Sequence, residues 1–174
     1  MPASNDHGSG GGEDDESGPY LFGDLLALAR ASWIRQMAAD MAAAGYDDYR
    51  RSDAAVMRIL LGSGPVSITG MGEILGVSRQ AARKLLDGLL ERSFAETTRH
   101  QTDARAVEVA LTAEGRRYAT AVVATIHKLN RELASRVPAS DLRRADSVLR
   151  AALSDPGERE RADRLVSPPG RVVR

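Results

Sequence analysis

The stretch VSITGMGEILGVSRQAARKLLDGLLERSFAETTRHQTDARAVEVAL, running from Val66 to Leu111, constrains the fold more than any other part of this chain. Ser67 can cap a short helix by accepting from free N–H groups of its first turn, and Met71, Ile74 and Leu75 would form the buried side. Gly76 ends that helix, because glycine adopts the left-handed backbone that a helix terminus needs, and Val77 is expected to plug the space before the next helix. Ser78 then caps a longer helix in which Ala82, Leu85, Leu86, Leu89 and Leu90 recur at helical spacing. Two extended runs follow, about 94–98 and 106–111, the second alternating apolar and polar residues as a half-buried strand does. Helix, tight turn, second helix and hairpin in this order make a winged helix-turn-helix.

The outward residues of the second helix are unevenly charged. Arg79, Arg83 and Lys84 occupy its first two turns with no acid among them, whereas Asp87, Glu91 and Arg92 come later. A positive N-terminal half suits a helix whose first turns approach the bases and phosphates of double-stranded DNA, and Gln80 adds a side chain able to read a base edge. Charged residues also cover the outer face of most helices; the clustering after a Gly-Val-Ser turn favours DNA contact. Ser67 and Thr69, at the start of the first helix, and Ser78 complete the helical part of the candidate DNA-binding set. The hairpin tip supplies Arg99, His100, Gln101, Asp103 and Arg105. A solvated turn would share this composition, but two arginines and a histidine beside a basic helix fit phosphate or minor-groove contact better.

LGVSRQAARKLLDGLLER, a hairpin with Asp-x-Arg at Asp103 and Arg105, and then Leu111-Thr112-Ala113-Glu114-Gly115 together resemble the MarR family of bacterial transcriptional regulators. The likeness extends more weakly from about residue 20 to residue 154. It implies a mainly α fold with a small β-wing, flanked by terminal helices through which two chains form a homodimer that binds an inverted repeat. It also implies that Asp103 braces Arg105 at the wing, and that a small lipophilic or aromatic effector enters a crevice beside the dimerisation helices. Trp33, Met37, Met57 and Tyr118 are the candidate lining of that crevice, although residues on apolar stripes are more often plain core. Two departures stand out. Ser93 occupies the place of the glycine that commonly ends the recognition helix, so the turn either takes another geometry or strains a non-glycine residue. Met71-Gly72 replaces the common Leu-Ala, and Gly72 costs helix propensity of order 1 kcal/mol relative to Ala in return for a closer helix crossing.

The formal net charge of zero conceals an asymmetry. Asp6, Glu13, Asp14, Asp15 and Glu16 lie in an N-terminal segment without Lys or Arg, so residues beyond 19 carry 24 basic against 19 acidic side chains, a net of +5. Residues 1–19 are too Gly-rich and acidic to offset the entropy of ordering, and a disordered tail is expected; a sharper alternative is that its charge competes with DNA for the basic face. Residues 20–154 are expected to form the MarR-like domain, with the winged helix-turn-helix at about 51–112 and dimerisation helices at about 21–44 and 113–154. A flexible C-terminal tail is expected over 155–174.

Within that domain Leu26, Ala29, Trp33, Ile34, Met37 and Met41 mark the apolar stripe of the first long helix, which Gly45 stops. Ser52 can cap a helix carrying Ala55, Val56, Ile59 and Leu60. After the wing, Thr112 caps a long helix with Tyr118, Val122, Ile126, Leu129 and Leu133 on one face, and beyond Pro138 a last helix carries Leu142, Ala145, Leu149 and Leu153. One winged module cannot cover both long helices, which argues independently for a second copy of the chain.

The chain has no cysteine, which excludes thiol chemistry, and its three histidines, His7, His100 and His127, sit in no nucleophile, phosphate-loop or metal motif. An enzyme, a metal and a cofactor are therefore not expected. No apolar run approaches the roughly 20 residues that cross a bilayer, and the expected location is cytoplasmic. The sequence points to a sequence-specific DNA-binding transcriptional repressor whose affinity a small ligand modulates; the alternative is an architectural or protein-interaction module without ligand response.

Overall fold

The computed structural model describes residues 21–99 and 107–166. In chain order the elements are α1 (Phe22–Ala43), α2 (Asp53–Ser63), β1 (Val66–Ser67), α3 (Ile68–Leu75), α4 (Arg79–Leu90), β2 (Ala95–Arg99), β3 (Val107–Leu111), α5 (Ala113–Ala134), α6 (Ala139–Ala151) and α7 (Pro156–Val166). The architecture is mainly α with a small antiparallel sheet of order β1-β3-β2. Val66 pairs with Val109, and Ala95 with Leu111. The short β1 is absent from the sequence reading, because two residues are too few to establish an alternating pattern.

The chain divides into two compact units, one ending at Trp33 and one beginning at Ile34. Of the first, the described residues form the N-terminal half of α1, where Leu25 is 63% and Leu28 is 68% exposed. The second unit holds the core. Met37 and Met41 of α1, Val56, Met57 and Leu60 of α2, Met71 of α3, Leu86 and Leu89 of α4, and Tyr118, Val122 and Leu129 of α5 are all buried. Within this unit α2 packs on α5, α3 on α4, and α7 on α3. Among the described residues no helix is long and apolar enough to cross a membrane.

Side-chain caps fix the helix starts around the winged module. Ser67 Oγ accepts from Gly70 N at 3.0 Å, Ser78 Oγ from Ala81 N at 3.2 Å, and Thr112 Oγ1 from Gly115 N at 2.9 Å. Each satisfies one of the N–H groups that a helix start leaves unpaired, worth about 1 kcal/mol apiece. Thr112 also donates to Ser93 O at 2.8 Å, and its N–H donates to Phe94 O, so the start of α5 is sewn to the root of the wing. Gly115 completes that seam: a Cβ there would collide with the Phe94 carbonyl.

Three expectations are corrected, and a fourth position resolves between two alternatives. Ser52 makes no capping hydrogen bond; Asp53 is instead turned back to the preceding loop, accepting from Arg50 N at 3.2 Å. Val77 does not plug the core and is 39% exposed. Gly76, in the left-handed region at φ 63°, turns the chain so that Val77 N–H donates to Gly72 O at 3.0 Å. The Val77 carbonyl then lies 3.1 Å from where a Gly72 Cβ would stand, so backbone fills this crossing. The residues read as a C-terminal tail include α7, which docks on the second unit: Arg58 Nη2 donates to Leu165 O at 2.6 Å, and Arg161 lies against Gly76. Finally, Ser93 takes φ 58°, the strained choice of the two geometries open to it.

Candidate nucleic-acid interface

The two capped helices α3 and α4 are joined by the Gly76-Val77 turn, and α4 directs its polar side outward. Arg79, Gln80, Arg83 and Lys84 are all exposed, while Ala82, Leu86 and Leu89 on the opposite side are buried. Arg83 Nε lies 3.4 Å from Asp87 Oδ2. With both side chains solvated, that pair contributes well under 1 kcal/mol, so Arg83 can exchange it for another anion. Thr69 is exposed in the first turn of α3, whereas Ser67 and Ser78 are occupied as caps. An open groove of about 640 Å³ runs beside α4, lined by Arg50, Ser78, Gln80, Arg83 and Lys84, with Asp87 and Glu91 at its far end. Among the sequence-selected residues the structure thus brings Ser78, Gln80, Arg83 and Lys84 to one groove and adds Arg50, whose loop carries no helical or strand periodicity to mark it.

At the wing, Arg99 closes β2 opposite Val107. His100, Gln101, Asp103 and Arg105 lie outside the described residues, as does the acidic segment 1–19.

Behind α4 lies a buried charge cluster that the sequence reading missed. Asp53, only 3% exposed, receives Arg92 Nη2 at 3.0 Å on Oδ1 and 2.9 Å on Oδ2, and the Tyr118 hydroxyl at 2.5 Å on Oδ2. Arg92 also donates to Gly88 O at 2.9 Å and to Asp48 O at 3.3 Å. The Phe94 ring stacks on Tyr118 at 4.3 Å and 8°, with the Arg92 guanidinium 5.1 Å from the Phe94 centroid, and Tyr46 meets Tyr118 edge-on at 5.0 Å. Burial raises the Tyr118 hydroxyl pKa far above its ordinary value, and the Asp53 hydrogen bond and charge raise it further. Tyr49 is also pushed up, first by burial and then by Asp53. In Arg92 burial works against the charge, but the hydrogen bonds and charges of Asp53 and Tyr118 outweigh it and hold the guanidinium protonated. A carboxylate, a fixed cation and a neutral phenol therefore tie α2, the segment after α4, and α5 together, and Asp53 and Arg92 line a hollow that shares Arg50, Lys84 and Gly88 with the groove.

The four residues selected for an effector crevice separate into two groups. Met37, Met57 and Tyr118 are 2%, 0% and 0% exposed and belong to the packed interior, while Trp33 is half-buried and belongs to the other unit. Among the described residues no group of three or more His, Cys, Asp or Glu side chains is placed to hold a metal ion.

Two capped helices joined by a left-handed turn, followed by a hairpin whose first strand leaves the end of the second helix, define a winged helix-turn-helix protein. Residues 48–106 match the sequence profile of the MarR family. That match marks the winged module as similar to the MarR family, and the chain shares its fold with solved MarR-family structures. The S. aureus MepR–DNA complex superposes with a TM-score of 0.66 at 14% identity, covering 78% of this chain and 98% of that one. A mutant MarR from E. coli complexed with operator DNA gives 0.63 at 19% identity, over 75% and 92% of the two chains. The heme sensor protein PefR from Streptococcus agalactiae, in complex with heme, gives 0.59 at 20% identity, over 78% and 92%. No curated protein sequence matches the chain.

Proposed function

We propose that this chain is a homodimeric transcriptional regulator that binds an inverted repeat in double-stranded DNA through α4 and the wing, and that it acts as a repressor. The observation that carries the reading is the outer face of α4: Arg79, Gln80, Arg83 and Lys84 stand exposed on the first two turns of a helix whose opposite side is buried in the core. That arrangement offers cations and one amide to a DNA major groove while the core fixes the direction of the helix. Two relatives of the same fold were solved on DNA, one on its operator, which supports the same use here. Arg99, His100, Gln101, Asp103 and Arg105 complete the proposed interface from the wing.

The dimer is supported by α6, which buries none of its side chains among the described residues and exposes Val148 and Leu149, and by the exposed leucines that begin α1. A two-fold pair would set two recognition helices about one DNA turn apart, hence the inverted repeat. A lipophilic or aromatic effector that binds better to a dimer with altered helix spacing would pull the population off DNA. PefR, with heme bound, is a ligand-holding relative of this fold. Because Met37, Met57 and Tyr118 are buried, an effector reaching them must open existing packing.

The test is fluorescence anisotropy of labelled DNA from the region upstream of the gene against a scrambled duplex, with intact protein and with Arg83→Ala. Tight binding that needs the palindrome and is weakened by the substitution is the expected result. Equal affinity for both duplexes with a steep salt dependence would make the protein an architectural DNA binder instead.

A further inference from the structure

The cations of α4 are accompanied by one from a different part of the chain. Arg50 stands in the loop before α2 and is exposed. Its backbone N–H donates to Asp53 Oδ2, the same oxygen that accepts from Tyr118 and Arg92. The carboxylate that Arg92 and Tyr118 hold from within therefore also holds the loop at Arg50. From that anchor the guanidinium lies along α4, with Nη1 3.4 Å from where a Cβ at Gly88 would stand. Gly88 is one helical turn beyond Lys84, so Arg50 and Lys84 bring their charges to the same face, and the missing side chain leaves Arg50 room there. Both residues line the groove beside α4 and also an adjoining hollow of about 330 Å³. Of the acids lining these two hollows, Asp53 is engaged by Arg92 and Asp87 by Arg83, and Glu91 stands at the far end of the groove. Among the described residues Arg50 has no acidic partner of its own.

We propose that Arg50 is a phosphate-contacting residue of the DNA interface, held in register with the recognition helix by Asp53. This rests on the DNA-binding reading above. Arg50 meets α4 at its third turn, away from the N-terminal end that reads bases, so its contact is to the backbone of the DNA and carries no sequence information. Asp53 acts as its positioning residue through the loop backbone.

A backbone contact is tested by salt. Affinity for the upstream duplex and for a random duplex is measured across a salt series with intact protein, Arg50→Ala, Arg50→Lys and Arg83→Ala, each checked for folding by circular dichroism. Arg50→Ala is expected to weaken both duplexes by the same factor and to lower the slope of log affinity against log salt by about 0.9, the value of one phosphate contact. Arg50→Lys keeps the slope. If alanine disturbs the loop, Arg50→Gln, which keeps much of the stem, gives the same loss of slope. An unchanged slope in Arg50→Ala and Arg50→Gln overturns the inference, and so does a loss confined to the upstream duplex. If Arg83→Ala weakens binding while Arg50→Ala does not, the inference alone fails; if the intact protein binds neither duplex at low salt, the DNA reading fails with it.

Discussion

Asp53 receives donors from the loop before its own helix, from the end of α4 and from α5, and the cost of removing each differs. Arg92→Met leaves a buried carboxylate without its cation and should destabilise the fold by about 3–5 kcal/mol. Tyr118→Phe removes one donor and leaves the Arg92 pair, so a loss of about 1–2 kcal/mol is expected; urea denaturation at fixed protein concentration checks both. The same tyrosine fixes a pH dependence. Its pKa is raised on folding, so its contribution is complete below the ordinary value of 10.0 and is lost as pH rises above it, when the unfolded tyrosine ionises first. Stability should therefore fall above about pH 10, and Tyr118→Phe should flatten part of that fall in alkaline melts. None of this was legible in the sequence, because Arg92 and Tyr118 lie 39 and 65 residues from Asp53 and no periodicity relates them. Asp53 reads as an ordinary acid in a first helical turn, Arg92 as a surface residue at a helix end, and Tyr118 as one member of an apolar stripe.

The elements themselves were far more legible where a local rule fixes them. Ser67, Ser78 and Thr112 cap the helices assigned to them, and Gly76 adopts the left-handed turn, because capping and positive φ depend on residues a few positions apart. The 3.6-residue stripe of α4 led to its buried face for the same reason, and that of α5 to Tyr118, Val122 and Leu129, whereas Leu133 at its end is exposed. Legibility ended where order comes from contacts distant in sequence: β1 exists through its pairing with β3, and α7 through its seat on α3. Of the proposed DNA-facing set, the α4 residues are chosen from charge at helical spacing, whereas Arg50 depends on a loop packing that no short-range pattern encodes. Ser93 makes a prediction at this scale. A serine held at φ 58° is strained, so Ser93→Gly should raise stability by about 1 kcal/mol, seen as a higher denaturation midpoint with an unchanged slope. Gly115→Ala should do the reverse, by about 2 kcal/mol or more, since the seam between α5 and Phe94 has no room for a methyl group.

For the molecule as a whole, the surface that stays uncovered bears on assembly. Phe22, Leu25 and Leu28 of α1 and Val148 and Leu149 of α6 are exposed, and exposed apolar stripes on helices are more often an interface than a solvated face. In the proposed dimer, Leu25→Glu or Leu149→Glu should shift the species seen by sedimentation from two chains to one, and should weaken DNA binding as steeply as loss of one half-site, although neither residue touches DNA. The acid is placed where two copies would meet, so removing the partner is its main effect.

Among its described residues α6 keeps no side chain of its own out of water. In the proposed assembly its order is borrowed from a second copy and becomes a matter of mass action: dilution loosens the terminal helices before it affects the winged module. The number of copies in a cell would then set both how much of the regulator is bound and how much of it is fully folded. A protein at its own operator would sense its abundance through the shape of its ends.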